Sequence, residues 1–206
     1  VGAVLASGVS VNTKTENGAT ALHIACHHGC DSCLPMLLAA GAYLQGTTSK
    51  EGLTPLDTAV IKGNGACVSL LLDAKADANF SPVDRSTPLH SACYSGNALI
   101  VRLLLDANAD VRRKNERGCS PLHSACEKRH SACVALLVGA KADVNHAADN
   151  GATPLHFASQ LGDLASVATL LEAKPSVDTQ TKIGGTALYS ACQTGQRAIA
   201  AKLLGA

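Results

Sequence analysis

One segment near the amino terminus is rich in side chains that can bind metal or transfer electrons. Residues 26–33 read Cys-His-His-Gly-Cys-Asp-Ser-Cys. Thiolates and imidazoles are the usual ligands of tetrahedral zinc, which needs four of them converging on one point. The Cys-x-x-Cys spacing of Cys30 and Cys33 is also found in redox-active dithiols. The segment therefore raises two chemical possibilities, a zinc site and a thiol site.

Histidine also recurs at regular intervals, which is not typical of a catalytic residue. It occupies equivalent positions at His23, His90, His123 and His156. The sequence contains no glycine-rich phosphate-binding loop, and no Ser-His-Asp or Cys-His grouping stands outside the recurring pattern. We therefore predict that the chain is not an enzyme and that it has no catalytic residue, no bound metal and no cofactor.

The recurring histidines belong to a six-residue phrase that occurs six times, at intervals of 34 and then 33 residues. The phrase begins at Thr20, Thr54, Thr87, Ser120, Thr153 and Thr186. Four copies place Pro second, where a helix can begin with Pro because its missing N–H is not needed there. The preceding Thr or Ser is a preferred helix cap. Each phrase therefore predicts the start of a helix, such as one over residues 88–95 closed by Gly96.

A second helix is predicted after each phrase. In the third copy, residues 100–105 place apolar side chains at helical spacing. One helix pair cannot bury its own apolar face, so neighbouring pairs must stack. Phe, Tyr and Trp make up only 2% of the chain, so Ala, Leu, Val and Cys must fill the core. The pattern predicts an elongated, curved solenoid.

The phrase and its period resemble the ankyrin repeat, whose motif is T-P-L-H-x-A in units of 33 residues. A second ankyrin motif, G-A-D-V-N, occurs in modified form at residues 75–79, 108–112 and 141–145. The resemblance implies an all-α ankyrin-repeat solenoid of stacked helix-turn-helix units with β-hairpin loops. It divides the chain into a partial unit at 1–14, units one to five at 15–48, 49–81, 82–114, 115–147 and 148–180, and a truncated unit six at 181–206. The partial units at both ends suggest a fragment of a longer chain.

The sequence departs from the ankyrin pattern at several turns. Unit one has the expected Gly41 after its second helix, but the later units have Lys75, Asn108, Lys141 and Lys174. Lys in a left-handed conformation costs about 1 kcal/mol, so these positions predict either strain or a different turn. Pro35 lies inside the predicted second helix of unit one, where it would remove a backbone hydrogen bond and kink the helix.

The repeat favours core packing for most of the thiols. One position of the first helix is shared by Cys26, Cys93, Cys126 and Cys192. A position of the second helix is shared by Cys33, Cys67 and Cys133. Cysteine at such positions behaves as a small hydrophobic residue. For the recurring histidines, the resemblance implies hydrogen bonds from the first helix to the neighbouring hairpin loop.

Composition indicates the cellular environment in which the chain works. The net charge is +1, no signal peptide or stretch of about twenty apolar residues is visible, and the nine cysteines are an odd number. We expect reduced thiols, no membrane insertion and an intracellular location, cytoplasmic or nuclear. Nucleic acid is disfavoured because no basic stripe runs along the array and stacking aromatics are few.

The resemblance implies a protein partner on the concave surface, at the hairpins and the ends of the first helices. The predicted contact residues are Ile61, Lys62, Asp84, Tyr94, Ser95, Glu116, Arg117, Glu127, Lys128, Arg129, Asn150, Gln160 and Leu161. Residues 112–129 carry a local charge of +4, and Tyr94 is a candidate anchor. The expected partner has an acidic segment and an apolar residue to set beside Tyr94, and the chain itself is expected to be a monomer.

Other functions remain open. The array could be the substrate-recruiting part of a larger enzyme, such as a ubiquitin-ligase adaptor, or a spacer between domains. The zinc or thiol site at residues 26–33 is the less favoured alternative. Asn79 and Asn145 are similar to hairpin asparagines that are hydroxylated in some ankyrin-repeat proteins, although capping of the turn is the simpler interpretation.

Overall fold

The computed structural model describes residues 10–49, 51–81 and 86–206 as a stack of helix pairs. In each unit a short first helix is followed by a tight turn and a second helix that packs against it. Over these residues the only regular elements are helices, and no strand is present. The all-α solenoid expected from the repeat is confirmed.

The helix bounds follow the period of the sequence. The first helices are α1 (Ala21–His28), α3 (Pro55–Ile61), α5 (Pro88–Ser95), α7 (Pro121–Glu127), α9 (Pro154–Gln160) and α11 (Ala187–Gln193). The second helices are α2 (Leu34–Ala39), α4 (Gly65–Asp73), α6 (Ala98–Asp106), α8 (Ser131–Gly139), α10 (Leu164–Glu172) and α12 (Arg197–Leu204). Helix α5 has the predicted bounds and ends at Gly96, whose φ is 75°. None of these described helices combines the length and apolar character needed to cross a bilayer.

The start of each first helix is fixed by its cap. In unit four, Ser120 has an extended backbone and Pro121 occupies the first helical turn. The Ser120 backbone N–H donates a hydrogen bond of 3.2 Å to Nδ1 of His123. The cap therefore satisfies a backbone donor that the helix leaves without a partner.

Two helical layers enclose a thin aliphatic core. Leu89 and Leu122 from the first helices and Leu104 and Leu137 from the second helices are fully buried. First helices of neighbouring units generally contact each other more extensively than second helices do. The array therefore curves with its first helices on the inner side.

The loops between units fold back as tight turns rather than as paired strands. In unit four, the Asn115 N–H donates a hydrogen bond of 3.0 Å to the Cys119 carbonyl and closes one such turn. The Asp149 N–H donates a hydrogen bond of 3.1 Å to the Arg117 carbonyl of the preceding loop. Bonds from Ser49 N–H to the Asn17 carbonyl and from Lys182 N–H to the Asn150 carbonyl join the loops of units one and two and of units five and six in the same way. Such bonds are too few to form strands in the described residues.

The turns in which another residue replaces the expected Gly keep the backbone conformation of the ankyrin pattern. The four turns that lack Gly remain left-handed, with φ of 69° at Lys75, 61° at Asn108, 62° at Lys141 and 53° at Lys174. Strain is therefore the correct alternative for the lysines.

The predicted kink at Pro35 is wrong. A 3₁₀ turn over Asp31–Cys33 precedes α2, so Pro35 lies in the first turn of the α-helix, where its missing N–H is not needed.

Candidate partner-binding surface

The recurring histidines join each first helix to the next loop. Nε2 of His90 lies 3.0 Å from the Cys119 carbonyl, and Nε2 of His123 lies 3.1 Å from the Ala152 carbonyl. Because Nδ1 accepts from the cap N–H, the ring proton is assigned to Nε2 and is donated to the loop. His23 and His156 make the same link, which confirms the role implied by the resemblance.

Burial favours the neutral form of three of these histidines. Burial lowers the pKa of His123 to about 4 and also lowers the pKa values of His23 and His156. A neutral ring can accept at one nitrogen and donate from the other, as the two links require. The histidines therefore have a structural role, which is to hold each first helix to the next loop.

Tyr94 lies near the end of α5, with 54% of its surface exposed. Nζ of Lys128, just after α7, lies 4.2 Å from the centroid of the Tyr94 ring. Such cation–π contacts are worth about 0.5–1 kcal/mol at exposed sites. A hydrogen bond with the Tyr94 side chain raises the pKa of Lys128, so the ammonium remains charged. Units three and four thus present an aromatic ring and a cation together.

A cleft of about 480 Å³ lies beside Tyr94 and extends from unit two to unit four. It is bordered by Ile61, Tyr94, Ser95, Arg117 and Glu127 from the predicted set. Ile61 is 48% exposed and adds apolar surface to the cleft. The cleft therefore offers both apolar and charged surface to a partner.

One ion pair crosses the rim of this cleft. Nη1 of Arg117 lies 3.7 Å from Oε2 of Glu127, with 63% of the Arg117 side chain and 31% of the Glu127 side chain exposed. Ion pairs at such exposed positions contribute about 0–1 kcal/mol. Arg117 can therefore leave Glu127 and pair with another carboxylate at little cost.

The remaining predicted residues are not brought into the cleft. Lys62, Glu116 and Arg129 are exposed, but they do not border it. Arg129 follows α7 with a left-handed φ of 60°. Asp84 lies outside the described residues.

Unit five contributes its predicted residues elsewhere. Asn150 borders a separate cleft of about 230 Å³, which Arg117 also borders. Its side chain accepts a hydrogen bond of 3.0 Å from the Ala152 N–H, so it shapes the turn. Gln160 and Leu161 are exposed near the end of α9 and border neither cleft.

Sequence reasoning missed several polar residues of the Tyr94 cleft. Ser91 and Ser124 border it, as does Asn115. Ser91 precedes Tyr94 by three residues, and such residues are neighbours on a helix surface. Helical spacing from the predicted anchor is therefore the signal that could have found Ser91.

Most thiols pack in the core as predicted. The buried cysteines are Cys26, Cys67, Cys93, Cys119, Cys126 and Cys133. Burial raises the pKa of Cys26 to about 12, so its thiol stays protonated. Cys192 is instead exposed, because no further unit packs against α11 in the described chain.

The two cysteines of the Cys-x-x-Cys pair, Cys30 and Cys33, are half-buried. Across the described residues, no three His, Cys, Asp or Glu side chains converge as metal ligands would.

Comparison with known proteins agrees with this geometry. The family model "Ankyrin repeats (3 copies)" matches residues 1–81, 77–148 and 136–206. The crystal structure of the human ASB11 ankyrin repeat domain is similar, with a TM-score of 0.87 and 29% identity over 98% of this chain and 90% of that one. The B-cell lymphoma 3 protein homolog of Mus musculus is 38% identical over 77 residues, which span 36% of this chain and 17% of that protein. The chain thus matches only a small part of that relative's length. Since the family model matches along the whole sequence, the chain belongs to the ankyrin-repeat family.

Proposed function

We propose that this chain is a non-catalytic scaffold that binds a protein partner on the inner face of its curved array. Ankyrin repeats are generally protein-interaction modules, and the family match covers the whole chain. The observation that carries the proposal is the cleft beside Tyr94, where an exposed aromatic ring, a cation and a weak ion pair meet. The residues that form these three features do not belong to the buried core.

The partner presents an acidic segment with an apolar residue. The apolar residue packs between Tyr94 and Ile61, which are 54% and 48% exposed. A carboxylate of the partner replaces Glu127 opposite Arg117, whose existing ion pair is long at 3.7 Å. Aromatic and arginine side chains of this kind are the usual anchors of protein interfaces. The local charge of +4 over residues 112–129 speeds association with an acidic partner.

Rigidity makes this surface useful for binding. Tyr94 and Lys128 lie at the ends of packed helices, and Nε2 of His130, which follows Lys128 by two residues, lies 3.2 Å from the Tyr94 carbonyl. A surface that is already ordered loses little conformational entropy on association. The chain acts by presenting side chains at fixed spacing, as a monomer, to a protein rather than to nucleic acid.

The test is affinity capture from a cell lysate with the triple variant Tyr94→Ala/Arg117→Glu/Lys128→Glu. A matched control, Leu99→Ala/Arg102→Glu/Lys202→Glu, makes the same change of charge and removes one exposed apolar side chain from the second-helix layer. Thermal unfolding of both variants checks that each retains the parent's stability.

We expect a protein captured by the parent and by the control to be absent from the triple variant. Its binding should also weaken as salt concentration rises, since the rim charges are exposed and screened. Equal capture by the parent and both variants would show that binding uses another face. Loss with the control alone would assign binding to the second-helix layer.

A further inference from the structure

Cys30 occupies a position at which the fold uses polar side chains. Its equivalents, each at the N-cap of a second helix, are Asn64, Asn97, His130, Asp163 and Gln196. The Asn97 side chain accepts a hydrogen bond of 3.1 Å from the Ile100 N–H and caps α6. A thiol is a weak acceptor and a poor cap. The repeat therefore explains the buried cysteines of the helices but does not explain Cys30.

The backbone between Cys30 and Cys33 differs from that of the other units. Asp31–Cys33 form a single 3₁₀ turn, whereas the other second helices begin directly as α-helices. The Cys33 N–H donates a hydrogen bond of 3.1 Å to the Cys30 carbonyl. A turn of this type places its first and fourth Cα atoms within about 7 Å. Disulfides span Cα separations of about 4.4–6.8 Å, so the two residues are within reach of one.

Both thiols can be reached from solvent. Cys30 and Cys33 are half-buried, while Cys67 and Cys133, which share the repeat position of Cys33, are fully buried. The pair borders a largely apolar cleft of about 550 Å³ with Ile24 among its lining residues. A small reagent can therefore enter beside Cys30 and Cys33 and not beside the core thiols.

The two thiols are chemically unequal. Interaction with the neighbouring Cys33 thiol lowers the pKa of Cys30. The Ser32 hydroxyl, 3.7 Å from the Cys30 sulfur, acts in the same direction. The pKa of Cys33 is raised, first by its interaction with the Cys30 thiol and then by burial. Cys30 is thus suited to attack a disulfide, and Cys33 to resolve the product.

We propose that Cys30 and Cys33 form a redox-active dithiol that small disulfides of the glutathione class oxidise to an intramolecular disulfide. The Cys30 thiolate attacks one sulfur of the small disulfide, whose S–S bond breaks to release one small thiol. Cys33 then gives up its proton and attacks the Cys30 sulfur, so that the Cys30–Cys33 bond forms and the second small thiol leaves. Two electrons pass from the cysteine pair to the reagent, and the two thiol protons leave with the two small thiols. This site is independent of the partner-binding surface at Tyr94.

The test is treatment of the folded full chain with oxidised glutathione, followed by alkylation of the free thiols and peptide mass spectrometry. We expect the peptide that contains Cys30 and Cys33 to lose both alkylation sites, to be lighter by two hydrogens than its reduced form, and to regain both thiols with a reductant. Cys33→Ser should stop at a glutathione adduct on Cys30. Cys30→Ser should form no intramolecular disulfide and should react at Cys33 more slowly than Cys33→Ser reacts at Cys30.

Cys192→Ser is the control, because it removes the remaining accessible thiol and should leave the Cys30–Cys33 disulfide unchanged. Circular dichroism before and after oxidation verifies that the chain stays folded. The proposal is overturned if both cysteines carry separate glutathione adducts in the parent protein. It is equally overturned if Cys30 pairs with Cys26 or Cys192, or if both thiols remain free under these conditions.

Discussion

The buried and exposed sides of α7 show two different uses of one helix. On the buried side, His123 bonds to its own cap and to the next loop, and the same residue recurs in units one, three and five. On the exposed side, Glu127 contacts Arg117. The other five units place four different residue types at the position of Glu127, namely His27, Ile61, Tyr94, Gln160 and Gln193. Residues that build the array recur with the period, whereas residues available for recognition do not.

The largest expected effect is on the buried side. Replacing His123 with Ala leaves the buried Ala152 carbonyl and the Ser120 cap without their partner and opens a cavity. We expect the free energy of unfolding to fall by about 3 kcal/mol. Urea denaturation measures this change. A loss below about 1 kcal/mol would mean that the histidine link is dispensable, and the buried side of α7 would then matter no more for stability than the exposed side.

The same histidine should make stability depend on pH. Its folded pKa is about 4 because of burial, below the ordinary value of 6.5, so the unfolded chain binds more protons between these values. The contribution is complete above pH 6.5 and is lost as the pH falls towards 4. We expect His123 alone to account for a loss of about 2 kcal/mol between pH 7.5 and pH 5. Denaturation of His123→Gln across this range should show a correspondingly smaller pH dependence, and an unchanged slope would exclude His123 as the source.

A smaller effect is expected at a strained turn. Lys141 has a φ of 62°, a conformation that glycine adopts without penalty. Lys141→Gly should therefore raise the free energy of unfolding by about 1 kcal/mol. The neighbouring Ala140 has a φ of −80°, so Ala140→Gly should instead lower stability by about 0.5–1 kcal/mol. If Lys141→Gly is no more stable than the parent protein, the turn stores no strain.

The smallest effect on stability is expected on the exposed side. Tyr94→Ala and Lys128→Ala each remove only a solvent-facing contact, so we expect changes within about 1 kcal/mol. Thermal unfolding measures both variants, and a double-mutant cycle gives the energy of the pair. A loss comparable with that of His123→Ala would mean that Tyr94 holds the array together rather than serving recognition.

Much of the fold could be predicted because local and repeating signals agree. The Thr–Pro pair fixes a helix start, and the period then fixes every equivalent position, as the bounds of α5 confirm. The 3₁₀ turn before α2 could not be predicted from periodicity, because Pro35 is compatible with either a kink or a later helix start. The absence of strands in the described loops depends on how many backbone bonds the loops share, which the sequence does not specify.

The candidate site was only partly predictable. The repeat indicates which residues share a face, so it groups Tyr94, Ile61 and Arg117, which border one cleft. The repeat does not indicate how far a cleft extends along the array, so the predicted set also includes Gln160, which does not border this cleft. Ser91 was missed because a small polar residue within the repeated phrase looks like part of the scaffold.

We propose that a protein partner contacts the face bearing Tyr94. A photo-crosslinking amino acid placed at Ser95, which borders the cleft, or at Ala135, which is exposed on the second-helix layer, reports this contact in cells. Irradiation in cells should give a covalent adduct of one defined mass from Ser95 and none from Ala135. An adduct from Ala135 alone, or equal adducts from both positions, would contradict recognition through the inner face.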